Sequence, residues 1–272
     1  MVSLSATILS ESRLAPAWAA LRARGRPALI PYLTAGYPTR EVSEEALRAA
    51  DEIGDIVEVG VPFSDPLADG PTIQRSTFAA LEGGMTLAGT LELIESAGLS
   101  HPVVVFSYLN PILRYGLERF LADAESLGVA GLLLTDLPAG SDRAVEATIG
   151  RSTLDLIRLI APTTRPERLA AAVTGARGFV YLVARLGVTG ASERLAEDLE
   201  RSVGRVREAT SLPVAVGFGI STPAQAAAVA RVADGVVVGS ALVDALSRDG
   251  VAGSRRFLES LRRGLDAGSA AG

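Results

Sequence analysis

Two residue types are missing from this 272-residue chain. It has no cysteine, which excludes disulfides, thiolate zinc sites, iron–sulfur clusters and a cysteine nucleophile. It has no lysine either: all 26 basic residues are arginine. A Schiff-base route through a lysine imine is therefore closed, and proton transfer falls to carboxylates. The only histidine, His101, precedes a proline at the start of an apolar run and reads as a loop residue. One histidine cannot build a multi-histidine metal site, so no metal is expected. Aromatic residues make up only 5% of the chain, leaving Ala, Leu, Val and Gly to fill the interior. No Arg run stands out and the net charge is −5, which argues against a nucleic-acid partner. No apolar run reaches membrane-spanning length. The first 26 residues read as an amphipathic helix rather than a signal peptide. A cytoplasmic protein without a membrane partner is expected.

What is present is a repeat. Eight short apolar runs alternate with longer helical patterns: residues 28–33, 55–60, 102–107, 130–135, 154–160, 178–183, 213–218 and 234–239. Most lack period-2 alternation, as parallel strands covered by helices do. Between them, "ERLAEDLERSVGRVREAT" sets Leu195, Leu199, Val203 and Val206 on one stripe. Thr39 and Ser221 or Thr222 stand where helix caps belong, and Gly54 where a helix stops. Eight βα units predict an α/β fold, a closed (β/α)8 TIM barrel with an additional N-terminal helix at about 8–24. The rival open sheet would carry a glycine fingerprint after its first strand, and "PYLTAGYPT" is not one. No linker divides the chain, so residues 1–272 read as a single barrel domain with a frayed tail at about 267–272.

In such a barrel the chemistry sits at the C-terminal ends of the strands. In "DIVEVG", Ile56 and Glu58 share one face and Val57 and Val59 the other. With the valines packed on helices, Glu58 points into the barrel near its mouth. The loop "VPFSDPLADGP" follows, its prolines restricting Asp65 and Asp69. The strand carboxyl should have a raised pKa and the loop carboxylate should stay ionised, one proton shuttle beside one anionic acceptor. Both aspartates also suit an ordinary turn. A second signal is Gly217 and Gly219 after strand seven, with Gly239 and Ser240 after strand eight. Those loops are the usual phosphate site of this barrel, and they point to a phosphorylated substrate. A third is "ARLGVTGASERL", a loop with Gly187 and Gly190 as hinges and Thr189 as a hydroxyl donor, suited to closing over a ligand.

"PYLTAGYPT", "VEVGVPFSDPLADGPTIQ", "YLNPIL", "TDLP", "APTT", "GVTG", "VAVGFGI" and "ADGVVVGSALV" follow one another along nearly the whole chain. In that order and spacing they resemble the tryptophan synthase alpha subunit family. The resemblance implies a lyase that splits indole-3-glycerol phosphate into indole and D-glyceraldehyde 3-phosphate by retro-aldol cleavage, in tryptophan biosynthesis. It implies a beta subunit partner in an alpha2beta2 heterotetramer, with pyridoxal phosphate (PLP) in that partner and no cofactor in this chain. It assigns Glu58 and Asp69 as catalytic. Tyr32, Tyr181 and Leu109 or Leu133 would line the indole pocket, and Phe218 would be a further substrate-binding residue. Gly190, Gly219, Gly239 and Ser240 would bind phosphate. Thr189 would reach toward Asp69, and Asp65 would couple loop and partner. Tyr32 stands where several members carry Phe, and Ala184 where many carry Ser. A stand-alone indole-3-glycerol phosphate lyase, another phosphosugar-converting barrel enzyme and a silent activator of the beta subunit are the competing readings.

Overall fold

The computed structural model describes residues 12–183, 193–217 and 219–269. Its strands are β1 (Ala28–Thr34), β2 (Val57–Gly60), β3 (Val103–Ser107), β4 (Gly131–Leu134), β5 (Asp155–Ile160), β6 (Val180–Val183), β7 (Val214–Gly217) and β8 (Gly235–Val238). All pair in parallel, each with its chain neighbour, and β8 returns to β1 to close the barrel. The helices in chain order are α1 (Ala15–Ala23), α2 (Arg40–Ile53), α3 (Pro71–Glu82), α4 (Leu87–Ala97), α5 (Leu109–Tyr115) and α6 (Leu117–Ser126). They continue with α7 (Arg143–Arg151), α8 (Pro166–Ala172), α9 (Glu193–Ala209), α10 (Pro223–Ala230) and α11 (Ser240–Ser269).

The chain folds this way because each strand has two apolar faces. Val57, Val59, Val103, Val105 and Leu132 join the cluster between the sheet and the helices. Ile56, Val104, Leu133, Ile157 and Val237 join a second cluster inside the barrel. Helix caps punctuate the repeat. Thr39 Oγ1 accepts from the Val42 N–H, and Thr222 and Gln225 form a reciprocal capping box.

Leu14, Trp18 and Leu21 join the interior cluster, and the Trp18 ring lies 5.6 Å from that of Phe179. The segment is anchored through Asp155 at the start of β5, which accepts from Ser12 Oγ at 2.6 Å and Leu14 N–H at 2.9 Å. Arg177 pairs with the same carboxylate at 3.3 Å. With apolar bulk packed in behind the N-terminal strand ends, the opposite rim is where a ligand can enter.

At both ends of the chain the helix boundaries differ from the sequence reading. The first described helix begins at Ala15, and residues 8–11 of the expected one lie outside the described residues. The expected frayed tail is helical as far as Ser269. A Cβ on Gly268 would lie 2.6 Å from the Ala227 carbonyl oxygen, so the missing side chain lets the end of α11 sit directly on α10.

Candidate active site

Glu58 lies in β2, level with Tyr32 of β1 and Val104 of β3. It is completely buried, and neither carboxyl oxygen has a hydrogen-bond partner among the described residues. Such an environment disfavours the charged form. Burial raises the Glu58 pKa from 4.5 to about 8, so at neutral pH this carboxyl carries a proton.

Asp69 arrives from the loop after β2. Its N–H donates to the Pro66 carbonyl at 3.1 Å, and its own carbonyl accepts from Gln74 Nε2 at 3.0 Å. Gly70 and Pro71 then start α3. Burial raises Asp69 from 3.8 to about 6, against a lowering hydrogen bond from Tyr108. At pH 7 it is therefore mostly ionised. The two carboxyls differ in their surroundings: Glu58 is completely enclosed and Asp69 is only partly buried, so burial raises the first pKa further than the second.

Both line a cavity of about 320 Å³ at the C-terminal ends of the strands. Its apolar wall includes Ile73, Phe106, Leu159, Val183 and Ile220. Tyr32 stacks edge-on against Phe106, with ring centroids 5.2 Å apart. Tyr32 and Tyr181 fit because they lie over glycines. A Cβ on Gly60 would lie 2.1 Å from the Tyr32 hydroxyl, and one on Gly217 would lie 2.1 Å from the Tyr181 hydroxyl. Both phenols stay protonated: burial and the neighbouring carboxyls raise their pKa values.

The far side of the cavity is polar backbone. Gly219 (φ +80°), Ser221, Gly239 and Ser240 line it, and α11 starts at Ser240. First-turn N–H groups of a helix have no carbonyl partner within it, so they suit an anion. Among the described residues no arginine lines the cavity. Asp244 does, and it is offset by Arg75 at 3.6 Å.

A second hollow of about 300 Å³ lies at the opposite end of the barrel, lined by Trp18, Arg22, Pro27, Pro213, Arg231 and Asp234. It faces the N-terminal ends of β1, β7 and β8, where this fold places stability rather than chemistry. Size does not separate the two hollows; the paired carboxyls do.

Of the residues singled out in the sequence, Glu58, Asp69, Tyr32, Tyr181, Gly219, Gly239 and Ser240 meet in the one cavity. Leu133 and Leu109 are absent from its lining. Leu133 is fully enclosed in the barrel core, in register with Phe106 and Ile157. Leu109 begins α5 and packs on the outer shell. Phe106 and Leu159 supply apolar wall instead, and only spatial placement reveals them. Asp65 is exposed, accepts from Ser64 Oγ at 2.6 Å and does not line the cavity. Thr189, Gly190 and Phe218, with the hinge Gly187 and Ala184, lie outside the described residues.

Comparison with known proteins follows the same lines. The family model described as tryptophan synthase alpha chain matches residues 18–263. The chain is 49% identical over 240 residues to a tryptophan synthase alpha chain of Acidiphilium cryptum, 87% of each chain. It is 45% identical over 258 residues to that of Chloroflexus aurantiacus, 92% of this chain and 97% of the other. Among solved structures, tryptophan synthase from M. tuberculosis in an aminoacrylate-bound form is similar at TM-score 0.84 and 44% identity, covering 93% of this chain and 99% of that one. The alpha subunit from Legionella pneumophila superposes at TM-score 0.85 with 32% identity, over 94% and 99% of the two chains.

Proposed function

Since the chain belongs to the tryptophan synthase alpha chain family, we infer that Glu58 and Asp69 are the two catalytic groups of its reaction, the first as proton donor and the second as anionic acceptor. The family is a lyase acting on indole-3-glycerol phosphate in tryptophan biosynthesis. The observation that carries the residue roles is that two carboxyls line one cavity, Glu58 completely buried with no partner on either oxygen and Asp69 at the end of a loop, which raises the first pKa more than the second.

The indole lies between the apolar wall and the two phenols. The Asp69 carboxylate accepts the ring N–H and favours electron flow toward C3. Glu58 gives its proton to C3, turning the ring into a leaving group. The Glu58 carboxylate so formed takes the proton of the adjacent glycerol hydroxyl. The carbon–carbon bond then breaks, its electron pair returns to the ring, and the hydroxyl carbon becomes the aldehyde of glyceraldehyde 3-phosphate. General acid–base help of this kind contributes about 10²- to 10⁴-fold. The phosphate sits against Gly219, Gly239, Ser240 and the start of α11, held by N–H groups that leave the reacting end free of added cations.

We further propose that the barrel acts as one domain, in the cytoplasm, with a beta subunit that carries PLP and takes up the indole. In that alpha2beta2 assembly the exposed Asp65 loop faces the partner. Among the described residues no helix is long and apolar enough to cross a membrane.

The test is indole release from indole-3-glycerol phosphate by Glu58→Gln and Asp69→Asn. Each variant is expected to fold, by circular dichroism, and to lose at least about 10²-fold in turnover. Near wild-type turnover in either would remove that residue from the mechanism. Adding the beta subunit of the same source is expected to raise turnover; an unchanged rate would count against the coupled assembly.

A further inference from the structure

We propose that Tyr108 is a positioning residue for Asp69: its hydroxyl ties down the residue preceding the carboxylate and donates its proton to the carboxylate itself. The inference rests on Asp69 being the ionised acceptor of the reaction.

Tyr108 opens the "YLNPIL" segment and is the N-cap residue of α5, directly after β3. Its side chain is 5% exposed, and its ring packs against Phe63, with centroids 5.1 Å apart and planes inclined at 37°. Phe63 belongs to the loop that delivers Asp69, so the ring contact fixes loop and strand end together. The hydroxyl accepts from the Ala68 N–H at 2.9 Å. A phenol that accepts from a backbone amide still has one proton to donate. Asp69 directly follows the Ala68 that the hydroxyl holds, so its carboxylate is the charged acceptor we assign to that proton, consistent with the lowering influence of Tyr108 on its pKa. A charged acceptor takes such a proton in preference to a neutral one.

The proton stays on the phenol under working conditions. Burial, with the charge of Asp69, pushes Tyr108 up to about 12. The other titratable groups of the cavity come from four different elements. Glu58 on β2, Tyr32 on β1 and Tyr181 on β6 share its cavity, as does Asp244 on α11. Tyr108 is the neighbour that lowers its pKa.

The decisive measurement is a carbon-13 NMR titration of the Asp69 carboxyl, assigned by its loss in Asp69→Asn. In Tyr108→Phe the midpoint is expected to move up by about one unit, the scale of one lost charge-assisted hydrogen bond. A fluorinated tyrosine at position 108, a stronger donor with the same ring, is expected to move it down. An unchanged midpoint in both overturns the proposal whether or not the enzyme releases indole. Kinetics give a second reading. With the midpoint moved from about 6 to about 7, kcat/KM falls about fivefold at pH 6 but less than about twofold at pH 7.5. An equal loss at every pH would mean that the phenol only supports the loop. If the NMR shift is seen but Asp69→Asn keeps full turnover, the positioning contact stands and the catalytic role of Asp69 falls.

Discussion

Glu58→Gln, introduced into the Asp69→Asn background so that Glu58 is the one titrating carboxyl of the pair, should change how stability depends on pH. In the unfolded chain Glu58 titrates near 4.5, and in the fold near 8. Between those values the unfolded chain has released the proton and the folded one has kept it. The folded state therefore binds more protons, and stability falls as pH rises across that window. The contribution is complete below the unfolded pKa and gone once pH passes the folded one. From pH 5 to pH 8 this amounts to about 3 kcal/mol, at about 1.4 kcal/mol per unit with the rounded ends of the titration allowed for. The glutamine amide has no proton to lose in this range, so the double variant lacks the decline. Equilibrium urea unfolding of both proteins at half-unit pH steps measures it. The expected result is two stability curves that diverge by about 3 kcal/mol toward pH 8, with the single variant the weaker. Curves parallel to within about 1 kcal/mol would mean that burial does not hold Glu58 protonated. A Glu58 already ionised at neutrality could not donate to C3.

The remaining expectations follow from the same geometry. The pH profile of kcat/KM for indole release should be bell-shaped. Its acid flank lies near 6, where Asp69 gains a proton, and its alkaline flank near 8, where Glu58 loses one; a flat profile from pH 6 to 8.5 would contradict both assignments. Gly217→Ala places a Cβ 2.1 Å from the Tyr181 hydroxyl. The displaced phenol should raise KM at least about tenfold, an overpacking cost of about 1–3 kcal/mol felt in the pocket, while the circular dichroism spectrum is retained. An unchanged KM would show that Tyr181 does not shape the indole site. Asp155→Ala strips Ser12, Leu14 and Arg177 of a buried partner. It should cost about 3 kcal/mol in urea unfolding yet leave kcat of the folded protein unaltered.

The barrel was legible because its signal is repeated eight times. Each apolar run is too short for a helix and too uniformly apolar for an exposed sheet, and the helical stripes between them fix the βα order. Seven of the eight expected runs overran their strands by a residue or two, and the first stopped one short of Thr34, because residues beside a strand keep extended backbone without pairing. Within the site, Glu58 is visible from alternation alone: a carboxyl in phase with Ile56 and out of phase with two valines must face inward. Asp69 is not, because a turn aspartate and a catalytic one share the same neighbours in sequence. Only the cavity brings it to Glu58. Leu109 and Leu133 show the opposite limit. Being apolar and near a strand end does not say whether a side chain meets a ligand or other side chains; its complete enclosure in the barrel-interior cluster decides that for Leu133. Tyr108 was readable as part of a motif, but its hydroxyl crosses from the end of β3 to the loop after β2, a relation with no trace in local pattern. Gly60 is similar. It looks like an ordinary strand-ending glycine until the Tyr32 phenol is seen to occupy the place of its side chain.

The charge arrangement explains why carboxyls suffice in a chain without lysine. A lysine aldolase draws the electrons of the breaking bond into a cationic imine. In the reaction proposed above the electron sink is the indole ring, and it would need a proton at C3 and an acceptor at nitrogen. Both can be carboxyls if they hold different protonation states at one pH. Two equally solvated carboxyls would both be ionised at neutrality and neither could donate. Complete burial keeps Glu58 neutral, and the phenol of Tyr108 keeps Asp69 from following it. In the proposed reaction the substrate's phosphate would bring negative charge into a cavity that, among the described residues, no arginine lines, and added negative charge disfavours ionisation of a carboxyl. The group that must donate would thus be held protonated most firmly when the ligand is in place. An arginine in the phosphate cradle would bind the ester more tightly but would pull the Glu58 pKa down, exchanging catalytic acid for affinity. In the proposed site backbone N–H groups would bind the phosphate without placing a full positive charge next to the acid.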